Sequence, residues 1–182
     1  MRKLVTLTFV TVTIFLLTSN YSFGQNIKQV DSVRHQLLSV AREIMTSSGN
    51  CALITQDQDG RARVRVMDPF PPENDFTVWF GTNPKSRKVT QIKNDPRVTL
   101  YYFDHKASAY VTIHGIAQLV DDPNEKEIRW KEAWKLFYPD KPDGYLLIKV
   151  TSEYLEVISE SHGITGDPAT WKPPIVKFES KD

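Results

Sequence analysis

Residues 81–96 read Gly-Thr-Asn-Pro-Lys-Ser-Arg-Lys-Val-Thr-Gln-Ile-Lys-Asn-Asp-Pro, a composition typical of a short helix with a cationic start. Asn83 suits a helix N-cap and Pro84 suits the first turn, so the free amides and the positive end of the helix dipole would face outward. One hydroxyl and three cations surround that point: Ser86, Lys85, Arg87 and Lys88. The stretch therefore predicts an anion-binding site. The plainer alternative is a solvated, Lys-rich helix end.

A second cationic segment precedes this stretch, where residues 61–66 read Arg-Ala-Arg-Val-Arg-Val. The alternation predicts a strand whose Ala62, Val64 and Val66 face the core while three arginines share the other face. Like charges so close repel each other, and a bound anion would relieve that repulsion. The alternative is a charged strand edge in solvent. Together with residues 81–96, the segment favours a phosphorylated ligand.

The hydrophobic pattern elsewhere predicts a mainly β protein. Helical spacing over residues 30–45 indicates an amphipathic first helix. An aromatic stripe over residues 124–137 indicates another helix, of a kind more typical of core or dimer contact than of a cofactor site. Strands are predicted at 51–55, 61–67, 76–80, 98–103, 109–120, 145–150 and 154–158. Gly115 would bend or bulge the longest strand. Since the links are too short for crossovers, we expect a small antiparallel barrel with helices.

The N-terminus has the pattern of a secretory signal peptide. Arg2 and Lys3 precede an apolar run and a small, polar region that ends at Gly24. The run is short and interrupted by threonines, so a retained membrane anchor is the weaker alternative. We therefore expect cleavage after residues 1–24, a periplasmic or secreted protein with no membrane segment, one domain over residues 25–160 and a C-terminal tail over residues 161–182.

Charge and composition exclude several classes of function. Removing residues 1–24 leaves 21 basic and 22 acidic residues, a net charge of −1 that argues against nucleic-acid binding. Cys51 is the single cysteine, so no internal disulfide is possible. The four histidines lack metal-ligand spacing, and we predict no metal site. No nucleophile elbow, Walker loop or dinucleotide fingerprint occurs, and no catalytic residue is assigned. Any chemistry would therefore depend on a bound cofactor.

Several segments then follow one another in a particular order. They are Arg63–Met67, Gly81–Asn83, Ser86–Val89, Gln91-Ile92, Asn94–Val98 and Gly115–Ala117. This order resembles the core of the pyridoxamine 5'-phosphate oxidase superfamily, and within it the general-stress-protein branch. The resemblance implies a six- to seven-stranded antiparallel split β-barrel of the Greek-key, FMN-binding type. It also implies a homodimer with flavin mononucleotide (FMN) at the dimer interface.

The resemblance also implies roles for individual residues. The FMN phosphate would be bound by Arg65, Ser86, Arg87 and Lys88, and the ribityl chain or ring would be contacted by Val66, Met67, Gly81 and Thr82. Arg63 belongs to the same arginine-bearing strand. Tyr110 stands where the vitamin-processing oxidases carry a glutamine that contacts the ring. Arg63 and Tyr110 are therefore also assigned as cofactor-binding residues. The C-terminal segment with which those enzymes grip pyridoxal phosphate is not recognisable, so oxidation of pyridoxamine phosphate is not expected.

Three functions remain open at this point. The first is an exported FMN-dependent oxidoreductase that acts on an unassigned small molecule. The second is a non-enzymatic protein that binds flavin, haem or deazaflavin. The third is a dimerising scaffold that has lost its ligand.

Overall fold

A computed structural model of the chain describes residues 29–140 and 144–179. The expected signal peptide lies outside these residues and stays a prediction. The chain separates into two compact units, residues 1–38 and 39–182. Helix α1 covers residues 29–48, as the spacing predicted. Its residues 29–38 are the described part of the first unit, and its residues 39–48 belong to the second. No described helix is both long and apolar enough to cross a bilayer.

The second unit is built from strands, with short helices between them. The strands are β1 (Cys51–Gln56), β2 (Ala62–Met67), β3 (Val78–Thr82), β4 (Arg97–Asp104), β5 (Ala109–Val120), β6 (Leu146–Ile158) and β7 (Ile175–Lys177). The helices are α2 (Arg87–Asn94), α3 (Pro123–Ile128) and two 3-10 turns (Glu132–Leu136 and Glu160–His162). One continuous β6 replaces the two strands predicted over residues 145–158. The tail that was predicted as a loop contributes β7.

The strands form one antiparallel sheet in the order β2-β1-β4-β5-β6-β3, with β7 paired to β6. The sheet does not close, although an isolated bridge between Pro69 and Phe80 links the chain just after β2 to β3. The predicted antiparallel split barrel is thus confirmed, as an open sheet. The register of β5 and β6 shifts between His114 and Gly115, which confirms the predicted irregularity at this glycine.

The predicted orientation of β2 is wrong. Val64 and Val66 are 65% and 74% exposed, whereas Arg65 is half-buried. The register explains the difference, because Arg65 lies opposite Leu53, which is fully buried, and directly opposed residues share a face of the sheet. The valines of β2, an edge strand, therefore lie on the outer face of the sheet. The core side of β2 instead carries an arginine.

The prediction of one helix over residues 124–137 is also wrong in part. Asp122 caps α3 by accepting a hydrogen bond from the amide of Glu125 at 2.9 Å, but α3 ends at Ile128 and a 3-10 turn follows. The break lies next to Trp130. This indole and that of Trp134 both pack on Tyr145, with ring centroids 5.5 Å and 5.8 Å away. Packing of two large aromatic rings on one partner has replaced the continuous helix.

Cys51 is buried at the start of β1, and its thiol is expected to be unreactive in the folded protein. Burial raises its pKa to about 12, and the nearby Tyr102 hydroxyl opposes this rise only in part. The folded-state pKa exceeds the unfolded one, so the contribution to stability is complete below pH 9 and is lost as the pH rises towards 12. At pH 8 we expect Ellman's reagent to leave the native protein unmodified and to titrate one thiol in urea. Equal rates in both states would contradict the buried position.

Candidate functional site

The candidate site begins where β3 leads into α2. The sequence predicted Asn83 as the N-cap of this helix, and this is wrong. Ser86 occupies that position, and α2 starts at Arg87. The Asn83 side chain instead accepts a hydrogen bond from the amide of Lys85 at 2.8 Å. This is the local turn that asparagine favours two residues ahead of a backbone donor. The helix start is therefore three residues later than expected.

The side chain of Ser86 makes no capping hydrogen bond and is available to the site. Its hydroxyl lies 3.1 Å from the hydroxyl of Thr82 at the end of β3. The ammonium group of Lys88 donates to the same Thr82 oxygen at 3.1 Å. Two hydroxyls and one cation thus meet at the junction of β3 and α2. Thr82 is buried, whereas Ser86 and Lys88 are half-buried.

Arg65 reaches this junction from β2 and is held by neutral acceptors. Its guanidinium donates to the carbonyl of Leu53 at 3.1 Å, to the hydroxyl of Thr55 at 2.7 Å and to Oε1 of Gln91 at 2.8 Å. The Thr55 hydroxyl also donates to Gln91 at 2.7 Å. Sequence reasoning did not assign Thr55 or Gln91 to the site, although Gln91 lies in a segment that carries the resemblance. These acceptors orient Arg65 without neutralising its charge.

The cations at this corner raise one another's electrostatic energy. Burial, and then the charge of Arg87, lowers the pKa of Arg65. Burial, and then the charge of Arg65, lowers the pKa of Lys88. The charged Lys88 therefore destabilises the fold at low pH, and this penalty is relieved as the pH rises through the lowered pKa towards 10.5. A bound anion would relieve it at neutral pH.

No carboxylate balances these charges in the part of the chain that is described. None of the ion pairs there includes Arg65, Arg87 or Lys88. Arg65 and Lys88 are half-buried, whereas Arg87 is exposed. Half-buried cations are ordinarily paired, so Arg65 and Lys88 without a carboxylate partner among the described residues form a corner that can bind an anion. Within the same residues, no group of His, Cys, Asp and Glu is arranged to hold a metal ion.

A pocket of about 400 Å³ adjoins the cationic corner. Its lining includes five of the residues that the resemblance assigned to the cofactor: Val66, Met67, Gly81, Thr82 and Lys88. The lining also includes aromatic residues of the 3-10 turn after α3 and of its C-terminal end, namely Trp134, Phe137 and Tyr138. Sequence reasoning interpreted this aromatic stripe as core or dimer contact. Trp134 is in fact both a core residue and a pocket residue.

Arg63 and Tyr110 lie apart from this pocket. Arg63 forms an ion pair with Asp57 of the β1–β2 turn at 2.7 Å. Tyr110 lines a different pocket, of about 460 Å³, together with Ile158 and Trp171. Within one chain, the structure therefore brings Arg65 and Ser86 close to the assigned pocket residues Thr82 and Lys88. Arg87 acts on the charge of Arg65 but lines a separate pocket of about 350 Å³, together with Arg63 and Asp57.

Solved structures share this fold. A Clostridium acetobutylicum protein related to general stress protein 26 of Bacillus subtilis is 20% identical, with a TM-score of 0.65 over 79% of this chain and 95% of that one. A pyridoxamine 5'-phosphate oxidase-related, FMN-binding protein from Nostoc punctiforme is 15% identical, with a TM-score of 0.56 over 82% of this chain and 96% of that one. A haem-binding protein from Mycobacterium smegmatis is 17% identical, with a TM-score of 0.53 over 65% of this chain and 52% of that one.

The sequence itself gives the family. A search of curated proteins yields no significant match. Residues 37–165 match the family model described as "Pyridoxamine 5'-phosphate oxidase like", which spans more than half of the chain and contains the whole cationic corner and its pocket. The chain therefore belongs to the pyridoxamine 5'-phosphate oxidase-like family.

Proposed function

We propose that this protein is an exported FMN-binding flavoprotein and a flavin-dependent oxidoreductase whose small-molecule substrate is unassigned. The observation that carries the proposal is the half-buried pair of Arg65 and Lys88, with Arg87 near Arg65, beside a pocket whose lining includes aromatic residues. A ligand that has both a phosphate and a planar ring matches that combination. Export is inferred from the sequence of residues 1–24 alone.

In this proposal each group of residues has a distinct task. Arg65, Arg87 and Lys88 bind the phosphate through charge-assisted hydrogen bonds, and Ser86 adds a hydroxyl. The network of Thr55 and Gln91 keeps the Arg65 guanidinium in place before the ligand arrives, which reduces the entropy lost on binding. The pocket walls exclude water from the ring. A bound flavin supplies hydride and electron transfer.

We further propose that the protein is a homodimer. Val64 and Val66 on β2 and Tyr101 and Phe103 on β4 are exposed. They share the outer face of the sheet, because Ala52 of β1 pairs with both Val66 and Tyr101. An apolar face of this kind on a single chain is typical of an interface. Val66 also lines the pocket, so the dimer interface would adjoin the flavin.

A non-enzymatic flavin-binding protein is the second candidate, and the chemistry of the pocket lining favours it. The single carboxylate in that lining, Asp68, is ion-paired with Lys131 at 2.7 Å. Burial raises the pKa of Tyr138, so this phenol stays protonated at neutral pH. Neither group is prepared to act as a base, and the described lining would bind a ring without assisting proton transfer.

The test compares FMN with riboflavin, which lacks the phosphate. Titration of the purified protein, followed by calorimetry and the visible spectrum, is expected to show FMN binding at least about 100-fold more tightly, because several charge-assisted contacts are lost together. Equal affinities for FMN and riboflavin would contradict the phosphate site. Tighter binding of hemin than of FMN would indicate that the ligand is haem and not flavin. Reduction of the bound flavin by a nicotinamide donor and its reoxidation in air would support the oxidoreductase. A bound flavin that stays oxidised would contradict the oxidoreductase and favour the non-enzymatic flavin-binding protein.

A further inference from the structure

The pocket is lined by residues of two kinds, and only one kind is explained by a phosphate. Lys88 and Thr82 are polar, whereas Trp134, Phe137 and Tyr138 are aromatic. Those aromatic residues belong to the segment between β5 and β6, to which neither the sequence nor the resemblance assigned a cofactor contact.

Trp134 is held rigidly at the pocket wall. Its indole is 8% exposed and meets Phe70, Tyr138 and Tyr145 edge to face, with centroids 5.6 Å, 5.9 Å and 5.8 Å away. It also lies so close to Gly81 that an added Cβ would be 2.5 Å from the ring. The absence of a side chain at Gly81 is what admits the indole. Such a pre-positioned ring contacts a ligand with little further ordering.

Phe137 lies at the mouth of the same pocket and is 73% exposed. Its neighbour Leu136 is 89% exposed on the same turn but does not line the pocket. An exposed phenyl ring beside a cavity gains contact area when a flat ligand enters. Leu136 therefore offers a matched control for general effects of apolar exposure.

We propose that Trp134 and Phe137 are flavin-ring contacts of this protein and that these aromatic residues of the pocket lining select a planar ring. The inference rests on the proposed flavin function. It assigns the phosphate and the ring to separate groups of residues in one chain. Replacing Phe137 should weaken binding of FMN but not of a sugar phosphate that lacks the flavin ring. An indole in contact with a flavin ring also quenches the flavin's emission.

The experiment measures binding of FMN and of ribose 5-phosphate to the full chain, together with the emission of bound FMN. Phe137→Ala is expected to weaken FMN binding about tenfold and to leave ribose 5-phosphate binding within about twofold, with Leu136→Ala like the wild type for both ligands. Trp134→Phe is expected to raise the emission of bound FMN several-fold. Trp130→Phe, in the same aromatic cluster but outside the pocket lining, should not.

The outcomes separate this inference from the proposed function. If the wild type binds FMN but Phe137→Ala behaves like Leu136→Ala, and Trp134→Phe like Trp130→Phe, the ring lies elsewhere and this inference alone falls. An equal loss for FMN and ribose 5-phosphate in Phe137→Ala would also overturn it. If the wild type binds ribose 5-phosphate but not FMN, both the proposed flavin function and this inference are contradicted.

Discussion

The double variant Arg65→Ala/Lys88→Ala is expected to bind FMN at least about 100-fold more weakly than the wild type, because each side chain supplies a charge-assisted contact of about 1.5–3 kcal/mol. Adding Ser86→Ala should weaken binding further. Both cations are half-buried, so salt screens their contacts less than those of surface charges. Calorimetric titration of FMN measures the loss, and thermal unfolding shows that the variant is folded.

The control for this prediction is Lys93→Ala/Lys106→Ala, which removes the same charge from exposed positions. We expect it to bind FMN within about threefold of the wild type at physiological salt, where long-range charge effects are screened. Riboflavin binding should be similar in the wild type and in Arg65→Ala/Lys88→Ala, because riboflavin has no phosphate. If both double variants lose FMN affinity equally, the net charge rather than the cationic corner attracts the ligand.

Gly115→Ala is expected to destabilise the fold by at least about 3 kcal/mol or to prevent folding. An added Cβ would lie 2.3 Å from the carbonyl oxygen of Thr151 and 3.3 Å from the Cα of Ser152, and both are backbone atoms of the neighbouring strand β6. β5 cannot easily move away, because Gly115 is also paired with Val98 of β4. Urea unfolding followed by circular dichroism measures the change.

Gly60→Ala is the matched control for this glycine. Gly60 lies in the β1–β2 turn with φ +75° and nothing within 4 Å of an added Cβ, so the substitution should destabilise by only about 1–2 kcal/mol through backbone strain. A similar loss in both variants would show that the irregularity between β5 and β6 opens to admit a methyl group.

Local sequence patterns were sufficient for most of the strands and for the cationic residues. β5 was predicted at its observed bounds, because an apolar alternation of this length has few other interpretations. Ser86, Arg87 and Lys88 adjoin in the chain, so their proximity needed no tertiary information. The helix start was misplaced by three residues, since Asn83 can cap a helix or bind its own local turn and both options satisfy its side chain.

The face of β2 could not be read from its pattern. The alternation in Arg61–Val66 is equally clear with valines inside or outside, and the register with β1, which places Arg65 opposite Leu53, decides between them. An edge strand can place a long polar side chain on the core side, where Arg65 finds Leu53, Thr55 and Gln91. Sequence reasoning missed Thr55 and Gln91 because their partner lies 10 and 26 residues away in the chain.

The sequence by itself determined a mainly antiparallel β fold, the identity of the cations and the family, because these depend on residue type, on spacing and on the order of segments. The tertiary structure alone decided that Arg65 faces inward, that Arg63 pairs with Asp57 and that Trp134 lies against Gly81. These contacts join residues of different strands and turns. Their geometry depends on sheet register and on packing, which no local pattern encodes.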